Sequence, residues 1–208
     1  MGKGGFGRVW KVIEKKSRKT YALKVMDKAK IITKKSVNSV LNEKEILCKL
    51  EHEFIVNMHC AFQDRENLYL VMDYLDGGDL RYYINRRYQF SEEQISNFRH
   101  ILEFVIRCIM EGLKYLHENN IIHRDIKPEN IILDKQGYCR VTDMGVARYW
   151  KAENSHETSG TPGYMAPEVL LRQNHSFCVD YFAVGIIAYE LALGKRPYLG
   201  RERKQIRE

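Results

Sequence analysis

The sequence predicts an α+β fold, with a small antiparallel-sheet lobe over residues 1–75 and a larger, mainly helical lobe over residues 76–208. Three observations predict it. "GRVWKVI" (7–13) and "TYALKVM" (20–26) alternate apolar and polar side chains and are joined by the polar turn "EKKSRK", the pattern of an antiparallel hairpin. From Ser36 to Leu50 the period lengthens, and Val40, Glu43, Leu47 and Leu50 fall on one stripe at three- and four-residue spacing. "NLYLVMDYL" (67–75) reads again as a strand and is broken by Gly77-Gly78. Helical patterns dominate after that break, with Ser91 the candidate N-cap of the helix that opens at "SEEQISNF". There is no internal repeat and no low-complexity segment.

The 208 residues are 44% hydrophobic and 29% charged, which suits a soluble globular chain with a real core. The net charge of +7 raises the question of nucleic acid. Its basic residues are scattered through "KKSRK", "NRRY" and "RERKQIRE", without a groove-reading or base-stacking motif, so a solvated basic surface is the better reading. The five cysteines are odd in number and form no CxxC pair, which argues against a disulfide framework and a zinc site. A reducing cytoplasmic or nuclear setting fits. "MGKGGF" lacks a signal-peptide core, and Phe6 stands where myristoylation needs Ser or Thr. The run "YFAVGIIAYELALG" carries Glu190 and is too short to span a bilayer, so it predicts a buried helix.

Four stretches carry chemistry. "GKGGFGRV" places Gly2, Gly4 and Gly7 before Val9, and glycines let a hairpin backbone approach a polyphosphate with its N–H groups free. A dinucleotide-binding turn would lead directly into a helix, whereas this one leads into a second strand. Lys24 ends "YALK" inside a strand, and Glu43 lies on an apolar helix face, where a charge requires a partner. A Lys24–Glu43 pair satisfies both and aims the ammonium at phosphate oxygens. "IIHRDIKPENIILD" (121–134) crowds His123, Arg124, Asp125, Lys127 and Asn130 between apolar runs. Asp125 can orient a hydroxyl and accept its proton, Asn130 offers a hard oxygen to Mg²⁺, and Lys127 can neutralise a transferring phosphoryl group. "VTDMGVAR" (141–148) adds Asp143.

Taken in order, the Gly-rich loop, "YALK", Glu43, "HRDIKPEN", "DMG", "GTPGYMAPE" and "VDYFAVG" resemble the eukaryotic protein kinases along nearly the whole chain. The resemblance implies a bilobal protein-kinase-like fold, with Mg-ATP between the lobes and Mn²⁺ as the alternative ion. It implies that Asp125 is the catalytic base and that Lys24 holds the nucleotide phosphates. Asn130 and Asp143 would hold the metal, and Met72 would be the gatekeeper. Asp73 and Leu75 would supply hinge backbone contacts, and Val9, Ala22 and Ile132 would sandwich the adenine. Asp180 would brace the catalytic loop. Met144 replaces the family's usual Phe; that side chain packs rather than coordinates, so Met144 is expected to retune the active–inactive balance from a slot between His123 and Leu47.

Lys127 and Thr161 match the serine/threonine branch, and "GGDLRYY" with "LEHEFIVNMHCAFQD" is similar to the YANK subgroup of the AGC group. In basophilic members acids grip substrate arginines, and Asp79, Glu129 and Glu190 stand at the matching positions, although each is also an ordinary surface carboxylate. Protein substrates with Ser or Thr near Arg or Lys are therefore expected, without nucleic acid or a membrane span. Glu157 stands where many members carry a phosphorylated Thr. It can meet Arg124 without modification; the alternative is a phosphate on Ser155, Thr158 or Ser159. "RHILEFV" adds about seven residues, close to two helical turns or ~10 Å, to be absorbed as a straight extension or expelled as a bulge. The first strand is already under way at Met1, and the chain stops where the family continues. A domain truncated at both ends is expected, with apolar surface exposed on the larger lobe and no arginine partner for Glu168. The favoured function is ATP-dependent phosphorylation of Ser/Thr; the alternative is a nucleotide-binding pseudokinase scaffold, which binds ATP without transfer.

Overall fold

The computed structural model describes residues 2–3, 7–86 and 92–198, with side chains for 7–86 and 100–198. Its first part is a five-stranded antiparallel sheet in the order β1-β2-β3-β5-β4. The strands are β1 (Gly2–Lys3), β2 (Gly7–Ile13), β3 (Thr20–Asp27), β4 (Met58–Gln63) and β5 (Asn67–Asp73). The β2–β3 hairpin pairs Val9 with Lys24, and β3 pairs Ala22 with Met72 on β5. Gly7 has no room for a side chain, because a Cβ there would meet the Val25 carbonyl oxygen at 1.7 Å.

Two helices cover the sheet. Helix α1 (Lys28–Thr33) is capped by Asp27, whose carboxylate accepts from the Lys30 N–H. Helix α2 (Val37–Lys49) buries Val40, Glu43, Ile46 and Leu47 toward the sheet. The stripe read from the sequence is therefore the packed face, and α1 and β4 are elements that the sequence reading did not contain.

The second part holds β6 (Gly78–Asp79), α3 (Leu80–Arg86), α4 (Glu92–Glu118), β7 (Ile121–Ile122), β8 (Ile131–Leu133), β9 (Cys139–Val141), β10 (Arg148–Tyr149), α5 (Pro167–Leu170) and α6 (Cys178–Leu193). Strands β6, β8 and β9 form a small sheet, and β7 pairs with β10. The additional "RHILEFV" is a straight extension within α4, a continuous helix of 27 residues. Seven residues nearly preserve helical phase. Val105 therefore shares the buried stripe of Cys108, Ile109, Leu113 and Leu116. The candidate cap Ser91 lies outside the described residues.

Helix α6 buries Val179, Ala183, Val184, Ile186, Ile187 and Leu191, in keeping with its apolar sequence, and ends at Gly194, whose φ is 73°. One core runs from Met26 and Leu70 in the sheet through Ile46 and Leu47 to Ile109, Leu113 and Ile187. The two parts are also joined along the backbone: Val56 N–H donates to the Val141 carbonyl at 2.9 Å, and Val141 N–H donates to Phe54 at 2.9 Å. The larger part exposes Leu171, Tyr189 and Leu193. Among the described residues Glu168 makes no ion pair.

Candidate active site

A cleft of about 580 Å³ opens between the sheet and the helical part. It is lined from the sheet side by Gly7, Val9, Ala22, Lys24, Glu43 and Met72, from the connector by Asp73 and Leu75, and from the helical side by Asp125, Ile132, Asp143 and Met144. Gly2 sits opposite Val9 on the neighbouring strand. Gly4 lies outside the described residues. Apolar residues and charged groups thus share the walls of one cleft.

Lys24 Nζ lies 2.5 Å from Glu43 Oε1 and 3.9 Å from Asp143 Oδ1. Burial works against the ammonium, but the Glu43 and Asp143 charges outweigh it and hold Lys24 above its ordinary range. Glu43 is positioned by α2, which is tied to the segment after Asp143. Asn42 Nδ2 donates to the Ala147 carbonyl at 2.8 Å, and Arg148 Nη2 donates to Ser39 Oγ at 3.0 Å. Met144 is fully buried in the same core cluster as Leu47.

The loop before β8 sets the other half. Asp180 is fully buried, and its carboxylate accepts from the backbone N–H groups of His123 at 2.9 Å and Arg124 at 2.8 Å, with His117 Nε2 at 2.9 Å. These bonds fix the backbone on which Asp125 stands, and Arg124 takes a left-handed φ of 68° there. Asp125 Oδ2 accepts from Lys127 Nζ at 2.6 Å, and its Oδ1 accepts from the Thr161 hydroxyl at 2.6 Å. Asn130 Nδ2 donates to the Asp125 carbonyl at 2.9 Å, leaving its amide oxygen available. Asn130 and Lys127 reach the site through Asp125 rather than lining the cleft. Asp143 also has a left-handed φ of 66°, and its carboxylate is 49% exposed toward the cleft.

The donor set fits a divalent ion shared with a polyphosphate. Among the described residues no group of three or more His, Cys, Asp or Glu can hold a metal alone. The hard oxygens of Asp143 and Asn130 would supply part of a coordination shell, and phosphate oxygens would complete it. At the connector, the Asp73 side chain is engaged by Asn57, His59 and Arg140, and its N–H donates to the Asn57 carbonyl at 3.0 Å. Leu75 keeps both backbone groups unpaired among the described residues.

The segment after Asp143 is held at further points besides its ties to α2 and Asp125. Arg124 donates from Nη1 to Glu157 Oε2 at 2.7 Å and from Nε to the Val146 carbonyl at 2.8 Å. Burial pushes the Arg124 guanidinium below its ordinary range, and Glu157 opposes that shift. Buried Asn154 donates to the His175 carbonyl at 2.7 Å and accepts from the His175 N–H at 2.8 Å, while Asn174 accepts from the Asn154 N–H. Sequence reasoning missed this latch because its partners lie about twenty residues apart, with no spacing signal. It also missed Arg81, which donates to two of the acids assigned to substrate arginines: Glu129 at 2.8 Å and Glu190 at 2.7 Å.

The cleft thus combines apolar walls, a lysine–glutamate pair and a carboxylate-bearing loop. The model of the protein kinase domain matches residues 1–208. A probable serine/threonine-protein kinase of Dictyostelium discoideum is 44% identical over 211 residues, covering 100% of this chain and 44% of its own length. Serine/threonine-protein kinase 32C of Mus musculus is 42% identical, over 95% of this chain and 40% of its own length. Serine/threonine-protein kinase sgk-1 of Caenorhabditis elegans is 38% identical, over 99% of this chain and 44% of its own length. The chain belongs to the protein kinase family, with serine/threonine kinases among its relatives. It spans less than half the length of these three relatives.

Proposed function

We propose that this chain phosphorylates serine and threonine hydroxyls of protein substrates, using ATP. The observation that carries the reading is the joint placement of Lys24, Asp125 and Asp143 on one cleft, with Glu43 and Thr161 bonded to them. Asp125 orients the substrate hydroxyl and accepts its proton as that oxygen bonds to the γ-phosphorus and the bond to the ADP oxygen breaks. Lys127 offsets charge on the transferring group, and Lys24 holds the phosphates of the nucleotide. Asn130 and Asp143 would hold Mg²⁺, or Mn²⁺ in its place, and the ion would offset the negative charge of the phosphates. Val9, Ala22 and Ile132 pack the adenine, Met72 limits the depth of the cleft, and Leu75 offers its free backbone groups to the base. Asp73 contributes its carbonyl, since its N–H is engaged.

Substrates with Ser or Thr near a basic residue are part of this proposal, supported by Asp79 at the mouth of the cleft. A reducing, cytoplasmic setting is supported by five free thiols. No helix among the described residues is long and apolar enough to cross a membrane. The test is a thermal melt of the purified chain with and without Mg-ATP, followed by transfer to a Ser peptide containing Arg. Ligand at about a hundred times its Kd stabilises by roughly 2.7 kcal/mol. The proposal expects that rise in the wild type, its loss in Asp143→Ala, and peptide phosphorylation. A rise without transfer would replace the enzyme with a nucleotide-binding scaffold.

A further inference from the structure

The acids assigned to substrate arginines do not share one state. Glu190, on α6, is almost wholly buried, and both of its carboxylate oxygens are taken. Oε1 accepts from Arg81 Nη1 at 2.7 Å; Oε2 accepts from the Tyr164 hydroxyl at 2.5 Å and from Arg81 Nη2 at 3.3 Å. Arg81 Nη2 also donates to the Tyr164 hydroxyl. Glu129, beside Asp125 in the cleft, gives Oε1 to Arg81 Nε at 2.8 Å and is 44% exposed. The guanidinium fork of Arg81 therefore spans the two carboxylates as an arginine from a bound peptide would. An incoming guanidinium meets the charge of Arg81 before it meets Glu190.

Asp79 differs. It stands two residues before Arg81 and lines the cleft, and its Oδ1 caps the Tyr82 N–H at 2.8 Å. It forms no ion pair among the described residues. We propose that Arg81 is a specificity-determining residue that fills the Glu129–Glu190 subsite from within the chain, so that substrates are read for a basic residue by Asp79 alone. The inference rests on the kinase reading above and narrows its substrate class: peptides with one basic determinant are selected, and a second adds little.

The test uses the purified 208-residue chain, Mg-ATP and Ser peptides carrying a single arginine at each position in turn before the acceptor. Wild type is expected to select arginine at one position and to lose that selection in Asp79→Asn. Arg81→Leu gains a second selected position, by roughly tenfold, the worth of one charge-assisted pair. Because Arg81→Leu leaves the Glu190 carboxylate buried without its cation, the double variant Arg81→Leu with Glu190→Gln is measured beside it; it gains the same position more weakly, through Glu129. Wild type selecting arginine at two positions would overturn the inference. So would Arg81 variants whose selection is unchanged, which would make Arg81 a brace between α3 and α6, or reduced, which would make it a residue that orients the acids. Affinity of fluorescent peptides with and without the second arginine, read by anisotropy with a non-hydrolysable ATP analogue, decides the point independently. Absence of transfer from every protein would refute the kinase reading, whereas equal affinities in wild type and Arg81→Leu would refute the role of Arg81.

Discussion

Replacing Glu157 by alanine removes the carboxylate that Arg124 Nη1 meets at 2.7 Å, while the Val146 carbonyl still accepts from Nε and Nη2. The Arg124 side chain is only 5% exposed and that of Glu157 is 24% exposed. An uncompensated buried charge costs about 3–5 kcal/mol. Water can enter from the exposed side of Glu157, so the smaller figure for a hydrogen bond to a charged group, about 1.5–3 kcal/mol, applies. At ~2–4 °C per kcal/mol for a chain of this size, Glu157→Ala should lower Tm by roughly 3–12 °C. The same loss, felt by the segment that carries Thr161, should lower kcat/KM by between tenfold and a hundredfold, at about 1.4 kcal/mol per decade. Differential scanning fluorimetry, limited proteolysis across residues 151–161 and initial-rate assays read the three effects. Wild type treated with phosphatase should keep its rate, since a carboxylate rather than a phosphate meets Arg124. Glu157→Ala matching wild type in melt, cleavage and rate would refute this reasoning.

Met144→Phe exchanges one buried apolar side chain for another, which costs under about 1.5 kcal/mol; kcat should change by less than about tenfold, with the response to Mg-ATP retained in the melt. Alkaline pH acts through buried donors. Burial, with neighbouring Cys108 adding to it, pushes the Cys139 thiol from its ordinary 9.0 up to about 12. The folded value lies above the unfolded one, so its contribution is fully present below pH 9.0 and is lost as pH rises toward 12. Urea midpoints should fall across that window, and Cys139→Ala should flatten the fall. Iodoacetamide at neutral pH should modify Cys48, Cys60 and Cys178, which are exposed, and spare Cys108 and Cys139, read by mass spectrometry.

Local periodicity made the hairpin, α2 and the buried α6 legible, because each element shows its packed face in its own residues. Glu43 was legible for a second reason: a charge on an apolar stripe implied a partner elsewhere in the chain. Strand β4 was not legible, since "MHCAFQ" is mostly exposed and owes its conformation to pairing with β5. Helix α1 was missed because it buries only Ile31 and begins at a single capping aspartate. The extension of α4 was legible in length but not in path; helical phase decided it. Arg81 was hidden because its partners Glu129, Tyr164 and Glu190 come from the loop before β8, the segment before α5 and α6, which only the tertiary fold assembles. The engagement of Asp73 by Asn57, His59 and Arg140 was hidden for the same reason.

The central claim is that Asp125, held by Lys127, Asn130 and Thr161, handles the hydroxyl proton in a cleft where Lys24 and Asp143 hold the nucleotide. Single-turnover transfer of labelled γ-phosphate to a Ser peptide, in wild type and Asp125→Asn at matched Mg-ATP saturation, tests it most directly. The account predicts transfer in wild type and a loss of at least about a hundredfold in Asp125→Asn, with the thermal response to Mg-ATP unchanged. Equal transfer in the two proteins, or none in a wild type that binds Mg-ATP, would contradict it.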